Sequence, residues 1–388
     1  MVTPVRPAGG RALLARLHRT AGLALAFFLI VAGATGALIA FTTEIDSWLN
    51  PDLRGAEWSE PAVSPFAVVE RIEAADPRGR VTFAQLRYEP GRAALFFVKP
   101  RRPGDGPLAY NQVYVDPGDG TVLGRRRWGA FAVDRRHLVP WIYEIHYSLF
   151  LPEALSGWFL GLLAAAWAVD CVVGLLLTLP QRRPFWRGWS RAWILKRQAS
   201  SHRRTVDLHR AGGLWCWGLL LMMALTGFYL RVGDDTVRPL LAALSSITPT
   251  PIELREAEAA DAPPELRLDM AAAVARAAAL AAARGWGEAT AISLDPETAI
   301  YVVSFLPGTD RGIAAPSVFV DGTNGALLGS RRPFSGTFAD RVLDLPRLLH
   351  GGKIAGLPGR IAVAAAGLVT VALALTGIAI WWRKRRRP

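Results

Sequence analysis

Four stretches of about twenty residues carry almost no charge: 21–41, 155–179, 212–230 and 361–382. A helix rises about 1.5 Å per residue, so each can cross a hydrocarbon core of about 30 Å. A purely soluble protein is excluded, and so is a disordered chain. The average composition, 51% hydrophobic and 20% charged over 388 residues, is ordinary for a globular protein and decides nothing. The segregation of those residues along the chain decides.

A net charge of +13 invites a nucleic-acid reading, but its distribution argues for a membrane. Residues 1–20 carry +4, 180–210 carry +8 and 383–388 carry +5, which leaves the rest of the chain at −4. The basic excess flanks the apolar stretches, where the positive-inside rule places it. Runs such as Arg383-Lys384-Arg385-Arg386-Arg387 are orientation signals, and no nucleic-acid partner is expected. The expected order is a cytoplasmic N-terminus (1–20), a helix (21–41), an outer segment (42–145), an interfacial segment and helix (146–179) and a basic cytoplasmic loop (180–208). A helix (209–230), a second outer segment (231–349), an interfacial segment and helix (350–382) and a basic tail (383–388) follow. The first apolar run exceeds the usual h-region of about 7–15 residues, so it reads as an uncleaved helix. Trp48, Trp141, Trp158, Trp186 and Trp381 read as interfacial belt residues. Cys171 and Cys216 both lie in apolar stretches, so there is no disulfide framework and no CxxC or CxxCH motif.

Self-comparison exposes a duplication. Leu17-His18-Arg19-Thr20-Ala21-Gly22 matches Leu208-His209-Arg210-Ala211-Gly212-Gly213 at an offset of 191, and the same offset pairs Thr35-Gly36 with Thr226-Gly227. Tyr114-Val115-Asp116 matches Phe319-Val320-Asp321 at an offset of 205, and His146 pairs with His350 at 204. Gly174 pairs with Gly377. Each half is then helix, outer segment, helix. The outer segments alternate as strands do at 81–88, 94–98 and 112–115, and again at 289–294, 300–305 and 317–320. Residues 65–75 and 268–284 read as the helices that precede them, and 249–264 as a mobile linker. Each outer segment is expected to be a small α+β module.

The six histidines are His18, His137, His146, His202, His209 and His350. Four of them stand one at the head of each span. His18 and His209 would lie near the cytoplasmic face, and His146 and His350 near the outer face, on short interfacial helices. Two such pairs are what two bis-imidazole haem b sites look like, since imidazole suits iron and haem b needs no covalent link. Gly22 and Gly213, each four residues after a histidine, leave a gap on the same helix face where a porphyrin edge could rest. The competing reading is that the histidines are polar anchors at the interface. His202, two turns before His209, is the best substitute ligand; His137 has no matched partner. Asp170 stands inside an apolar stretch, as a proton relay or a buried partner of a polar neighbour.

The ordered set Leu17-His18-Arg19…Gly22, Glu44-Ile45-Asp46…Leu49-Asn50-Pro51, Ile145-His146…Leu149, Asp207-Leu208-His209-Arg210…Gly213, Leu349-His350-Gly351-Gly352 and Leu375-Thr376-Gly377…Trp381-Trp382 resembles the PepSY-associated transmembrane family of iron-regulated bacterial inner-membrane proteins. The resemblance covers essentially the whole chain. It implies a membrane α-helical fold: four transmembrane helices from an internal duplication, with two periplasmic α+β PepSY-like modules. One branch of that family is similar to dihaem ferrisiderophore reductases. For this chain the resemblance implies two haem b groups, one held by His18 and His209 and one by His146 and His350. It also implies a ferric siderophore as substrate, an external electron donor and the lipid bilayer as surroundings.

No GxGxxG opens a helix after a strand, and there is no P-loop, GxSxG or HExxH. A nucleotide site of the chain's own is therefore not expected. Two other readings stay open: a membrane-anchored module that binds a periplasmic partner without catalysis, and a permease for iron or its chelate. The charge distribution generates a direct test. Gly104→Cys and Pro263→Cys should both react with a membrane-impermeant thiol reagent in intact spheroplasts; protection of either site would overturn the four-span topology.

Overall fold

The computed structural model describes residues 9–58, 62–102, 104–196, 198–258, 264–306 and 315–386. Along the chain run α1 (Gly9–Ile39), α2 (Thr42–Leu49), α3 (Pro51–Arg54), α4 (Pro65–Ala75), β1 (Gly79–Gln85), β2 (Ala94–Pro100), β3 (Gln112–Val115) and β4 (Val122–Arg126). Then come α5 (Leu138–Tyr147), α6 (Glu153–Thr178), α7 (Phe185–Ser190), α8 (Ser201–Trp215), α9 (Trp217–Leu244), α10 (Pro251–Ala257) and α11 (Met270–Ala283). The chain closes with β5 (Ala289–Asp295), β6 (Ile300–Phe305), β7 (Ser317–Asp321), β8 (Leu327–Arg331), α12 (Phe338–Leu343), α13 (Leu345–His350) and α14 (Gly356–Arg385). These elements form two compact units, one of 1–41, 142–240 and 345–388, the other of 42–141 and 241–344.

The first unit is helical, and it makes this a membrane protein. The helices α1, α6 and the one ending at Arg385 are long and apolar enough to cross a bilayer, and α8 with α9 makes a fourth span if the bent pair counts as one. The stretch at 212–230 is therefore not one straight helix: the two pieces meet at 67°. Gly212 and Gly213 precede the break at Cys216, where a helix is least supported. A second irregularity, at Val232 (φ −138°, ψ 17°), kinks α9 before it runs on to Leu244. Helices α1 and α14 meet at a glycine pair. A Cβ on Gly33 would stand 2.6 Å from the carbonyl oxygen of Gly367, so only glycine lets the two backbones approach this closely. Asp207, fully buried, is held by Arg203 at 3.0 Å and Arg210 at 2.8 Å, and Arg210 also donates to the Ala192 carbonyl at 3.1 Å. These bonds fasten the basic loop to α8.

The second unit is built on one antiparallel sheet in the order β4-β3-β2-β1-β5-β6-β7-β8. Two α+β modules were expected, and the structure joins them edge to edge. Strand β1 pairs with β5 through Phe83↔Ser293, Ala84↔Ile292 and Gln85↔Ala291, so neither central strand is left as an open edge. One core runs under both halves, with Val68 and Ile72 of α4 and Ala273 and Ala277 of α11 packed on Phe96, Ile292 and Val303. Helix α11 is nearly all alanine, the best helix former, and its Ala273, Ala277 and Ala281 recur every four residues on the sheet side. The strands at 112–115 and 300–305 form as expected. Edge strands β4 and β8 went unread because each is short, half-exposed and contains a glycine.

Two further differences from expectation have clear causes. The supposed linker at 249–264 contains α10, started by a capping box in which Thr250 and Glu253 satisfy each other's backbone N–H groups. Arg255 of that helix pairs with Asp321 at 2.6 Å and donates to the Thr298 carbonyl at 2.8 Å, which pins it to the sheet unit. Residues 259–263 of that stretch lie outside the described residues. Next to α1 in sequence, α2 carries Asp46, which is buried with Arg126 of β4 in a two-point ion pair, 2.8 Å at each contact. Arg54, Asn50, Gln112 and Tyr114 complete the network around them. Removing the Arg126 guanidinium takes both of its bonds from a buried carboxylate and leaves Arg54 as its one remaining arginine. Arg126→Leu should lower the stability of this unit by about 3 kcal/mol, against well under 1 kcal/mol for an exposed pair such as Arg267→Leu with Glu265. Thermal unfolding of the two variants in detergent checks the contrast.

Candidate functional site

All four matched histidines belong to the helical unit, and they come together in pairs. His18 on α1 faces His209 on α8, with ring centres 6.1 Å apart and ring planes at 59°. His146 at the end of α5 faces His350 at the end of α13, with centres 6.3 Å apart and planes at 50°. Along α1, His18 and the Thr35-Gly36 pair that seats His146 are seventeen residues apart, about 26 Å of helix. One pair therefore lies toward each end of the helix.

Each ring is oriented by a neighbouring helix through Nδ1. His146 Nδ1 lies 3.0 Å from Thr35 Oγ1 and 3.1 Å from the Ala32 carbonyl. His209 Nδ1 lies 3.0 Å from both Thr376 Oγ1 and the Leu373 carbonyl. His350 Nδ1 lies 2.9 Å from Thr226 Oγ1. The three hydroxyls already donate to carbonyls in their own helices, Thr35 to Val31 at 2.6 Å, Thr226 to Met222 at 2.7 Å and Thr376 to Ala372 at 2.7 Å. Their oxygens can then only accept, so Nδ1 carries the hydrogen in all three rings. His18 Nδ1 instead meets the carboxylate of Asp170 at 2.8 Å, again an acceptor. In every ring Nε2 is left with a free lone pair, the tautomer a metal ligand requires.

Glycine makes these contacts possible. A Cβ on Gly36 would stand 2.9 Å from Cε1 of His146; on Gly377, 3.3 Å from Cε1 of His209; on Gly174 and Gly227, 3.4 Å from Cε1 of His18 and His350. Each ring lies flush on a bare stretch of helix. In three of the four the preceding residue is threonine, and Ala32, Asp170 and Leu373 each stand four residues before the glycine of their helix. Self-comparison matched these glycines without assigning them a role. The recurring Thr-Gly dipeptide was the signal. Gly22 and Gly213 behave differently. A Cβ on Gly22 would be 3.8 Å from Asp170 Oδ2, and one on Gly213 3.9 Å from Leu373, both ordinary contacts.

The remaining candidates divide cleanly. Asp170 is the polar partner of His18. His137 binds Asp134 at 2.6 Å and belongs to the sheet unit. His202 sits two turns before His209 on α8, with a buried Nδ1 that has no hydrogen-bond partner among the described residues. No group of three or more His, Cys, Asp or Glu gathers there either, so the histidines are paired rather than clustered.

The spacing fits one metal between two rings. A first-row transition metal lies about 2 Å from an imidazole nitrogen, itself about 1 Å from its ring centre, so two rings trans across one metal stand about 6 Å apart. Both pairs meet that separation with the correct nitrogen free, so the residues fit a bis-imidazole haem. At Gly22 and Gly213 a Cβ would make only ordinary contacts, with Asp170 and Leu373.

The fold and paired histidines define a class: a helical membrane protein with a β-sheet unit and two facing histidine pairs. The chain belongs to the PepSY-associated TM region family, whose model matches residues 15–384. No individual curated protein sequence matches it. The seating geometry yields a prediction. Gly36→Ala forces His146 from its place and should lower stability by about 1–3 kcal/mol, whereas Gly213→Ala should change it by less than about 0.5 kcal/mol. Thermal unfolding of the two purified variants discriminates.

Proposed function

We propose that this chain is a bacterial inner-membrane electron-transfer protein that holds two haem b groups and reduces a ferric siderophore on the periplasmic side. The observation that carries this reading is the pair of imidazoles about 6 Å apart toward each end of α1, every ring with Nδ1 bonded and Nε2 free. His18 and His209 would hold the haem at the cytoplasmic end, where the basic flanks lie, and His146 and His350 the one at the periplasmic end. In this reading the duplication supplied both sites, and the sheet unit is periplasmic. Haem iron supplies one-electron chemistry, cycling between ferric and ferrous states. The chain's own residues fix both rings of each pair, keep the ligating nitrogens deprotonated and surround them with apolar helix. The electron donor is external. At the periplasmic face the ferric siderophore takes up one electron, and the weaker-bound ferrous ion leaves.

Purified protein from haem-replete cells should show a Soret band and two haems per chain. His18→Ala and His209→Ala should each lose one haem, and the same one, so the double variant loses no more than either single variant. His350→Ala should keep a haem that the donor reduces, yet fail to reduce a membrane-impermeant ferric chelate in sealed right-side-out vesicles. Colourless wild-type protein would instead favour the anchored, non-catalytic module; loss of different haems from His18→Ala and His209→Ala would break the pairing.

A further inference from the structure

The two sites are built alike except at one position. Three of the four histidines give their Nδ1 hydrogen to neutral acceptors: a threonine hydroxyl, joined by a backbone carbonyl at His146 and His209. His18 gives it to a carboxylate. The substitution can be traced residue by residue, because Gly174 and Gly377 occupy matching seats. Asp170 stands where the other half has Leu373, and Val173 where it has Thr376. Where the other three seats have a threonine, the seat of His18 has an anionic acceptor one helical turn before its glycine.

That charge is not neutralised by a cation. Among the described residues no lysine or arginine pairs with Asp170, whose side chain is 11% exposed; its ion-pair partner is His18. The other buried carboxylate at this end, Asp207, is held by two arginines. A carboxylate hydrogen-bonded to a ligating imidazole raises the basicity of its far nitrogen. An uncompensated negative charge in a low-dielectric surround also favours the more positive of two metal oxidation states. Both effects act in the same direction, toward the ferric form.

We propose that Asp170 is the positioning residue that makes the two metal sites unequal: acting through His18, it gives the His18–His209 site the lower reduction potential, so that electrons run from it toward the His146–His350 site. This rests on the bis-imidazole haem reading above. The electron count is simple, since one ferrous iron at the first site becomes ferric as one ferric iron at the second becomes ferrous. The neutral acceptors at His146 and His350 leave the second site the better electron acceptor.

The test is a redox titration of the purified, haem-loaded full chain, followed through the visible bands and resolved into two one-electron components. Asp170→Asn keeps an acceptor for Nδ1 and removes the charge. The double variant Asp170→Leu with Val173→Thr copies the Leu373 and Thr376 arrangement into the first half. Each should retain two haems per chain and move one component upward, changing its oxidised-to-reduced ratio at fixed potential roughly tenfold, about 59 mV for a one-electron couple. The other component should not move. Two haems with neither component shifted, a downward shift, or loss of the haem from both variants would overturn the proposal; the last outcome would make Asp170 a structural prop. Wild-type protein without haem would instead refute the underlying reading.

Discussion

A hydrogen bond from Nδ1 of each of the four paired histidines to an adjacent helix is the contact on which the geometry of the helical unit's two pairs depends. In an apolar surround a polar ring nitrogen must find a partner, and here each partner can only accept. The acceptor therefore chooses the tautomer, which leaves the lone pair on Nε2. Glycine is the other half of the device. By removing Cβ at 36, and less stringently at 377, it lets the imidazole lie against the helix within reach of the acceptor; at 174 and 227 the rings rest at the edge of ordinary contact. Ring orientation, protonation and spacing thus follow from one kind of contact made four times.

The same economy of means appears in the sheet unit, with different forces. Its core is mostly alanine, valine, isoleucine and phenylalanine packed between two helices and a single sheet, with buried Tyr301 donating to the Leu268 carbonyl at 2.7 Å. Buried ion pairs attach flanking elements. Asp46 with Arg126 ties in α2, and Arg255 with Asp321 ties in α10. A buried ion pair of this kind contributes little net stability but makes wrong docking expensive, since a displaced partner leaves a charge unpaired. Asp340 plays a smaller part of the same type. Its burial would raise its pKa, but hydrogen bonds from Thr248 and Thr337 outweigh that and bring it down to about 2. Its stabilising contribution is complete above the usual carboxylate range and is lost as pH falls toward that value.

The acceptor at His18 is a carboxylate, where the other three seats offer neutral groups. In the proposed electron-transfer reading, that one charge makes two otherwise alike sites unequal and gives transfer between them a direction.

Much of this was legible in the sequence. Apolar length and flanking charge report spans because hydrophobicity and charge are read locally. The offset of 191 picked out His18 with His209 as matched positions, and 204 did the same for His146 with His350. Helices at 65–75 and strands at 112–115 and 300–305 were visible because their period and turn residues lie within a few positions of one another. What tertiary structure alone decided depends on distances between residues far apart in the chain. The bond from His18 to Asp170 joins positions 152 residues apart, and no periodicity announces it. The seating of rings on Gly36 and Gly377, the bend between α8 and α9, and the joining of β1 to β5 are likewise set by which surfaces meet once the helices and strands pack. Sequence by itself determined what each segment is and which residues are available for chemistry. Packing decided which acceptor each paired histidine found, and so which nitrogen keeps its free lone pair.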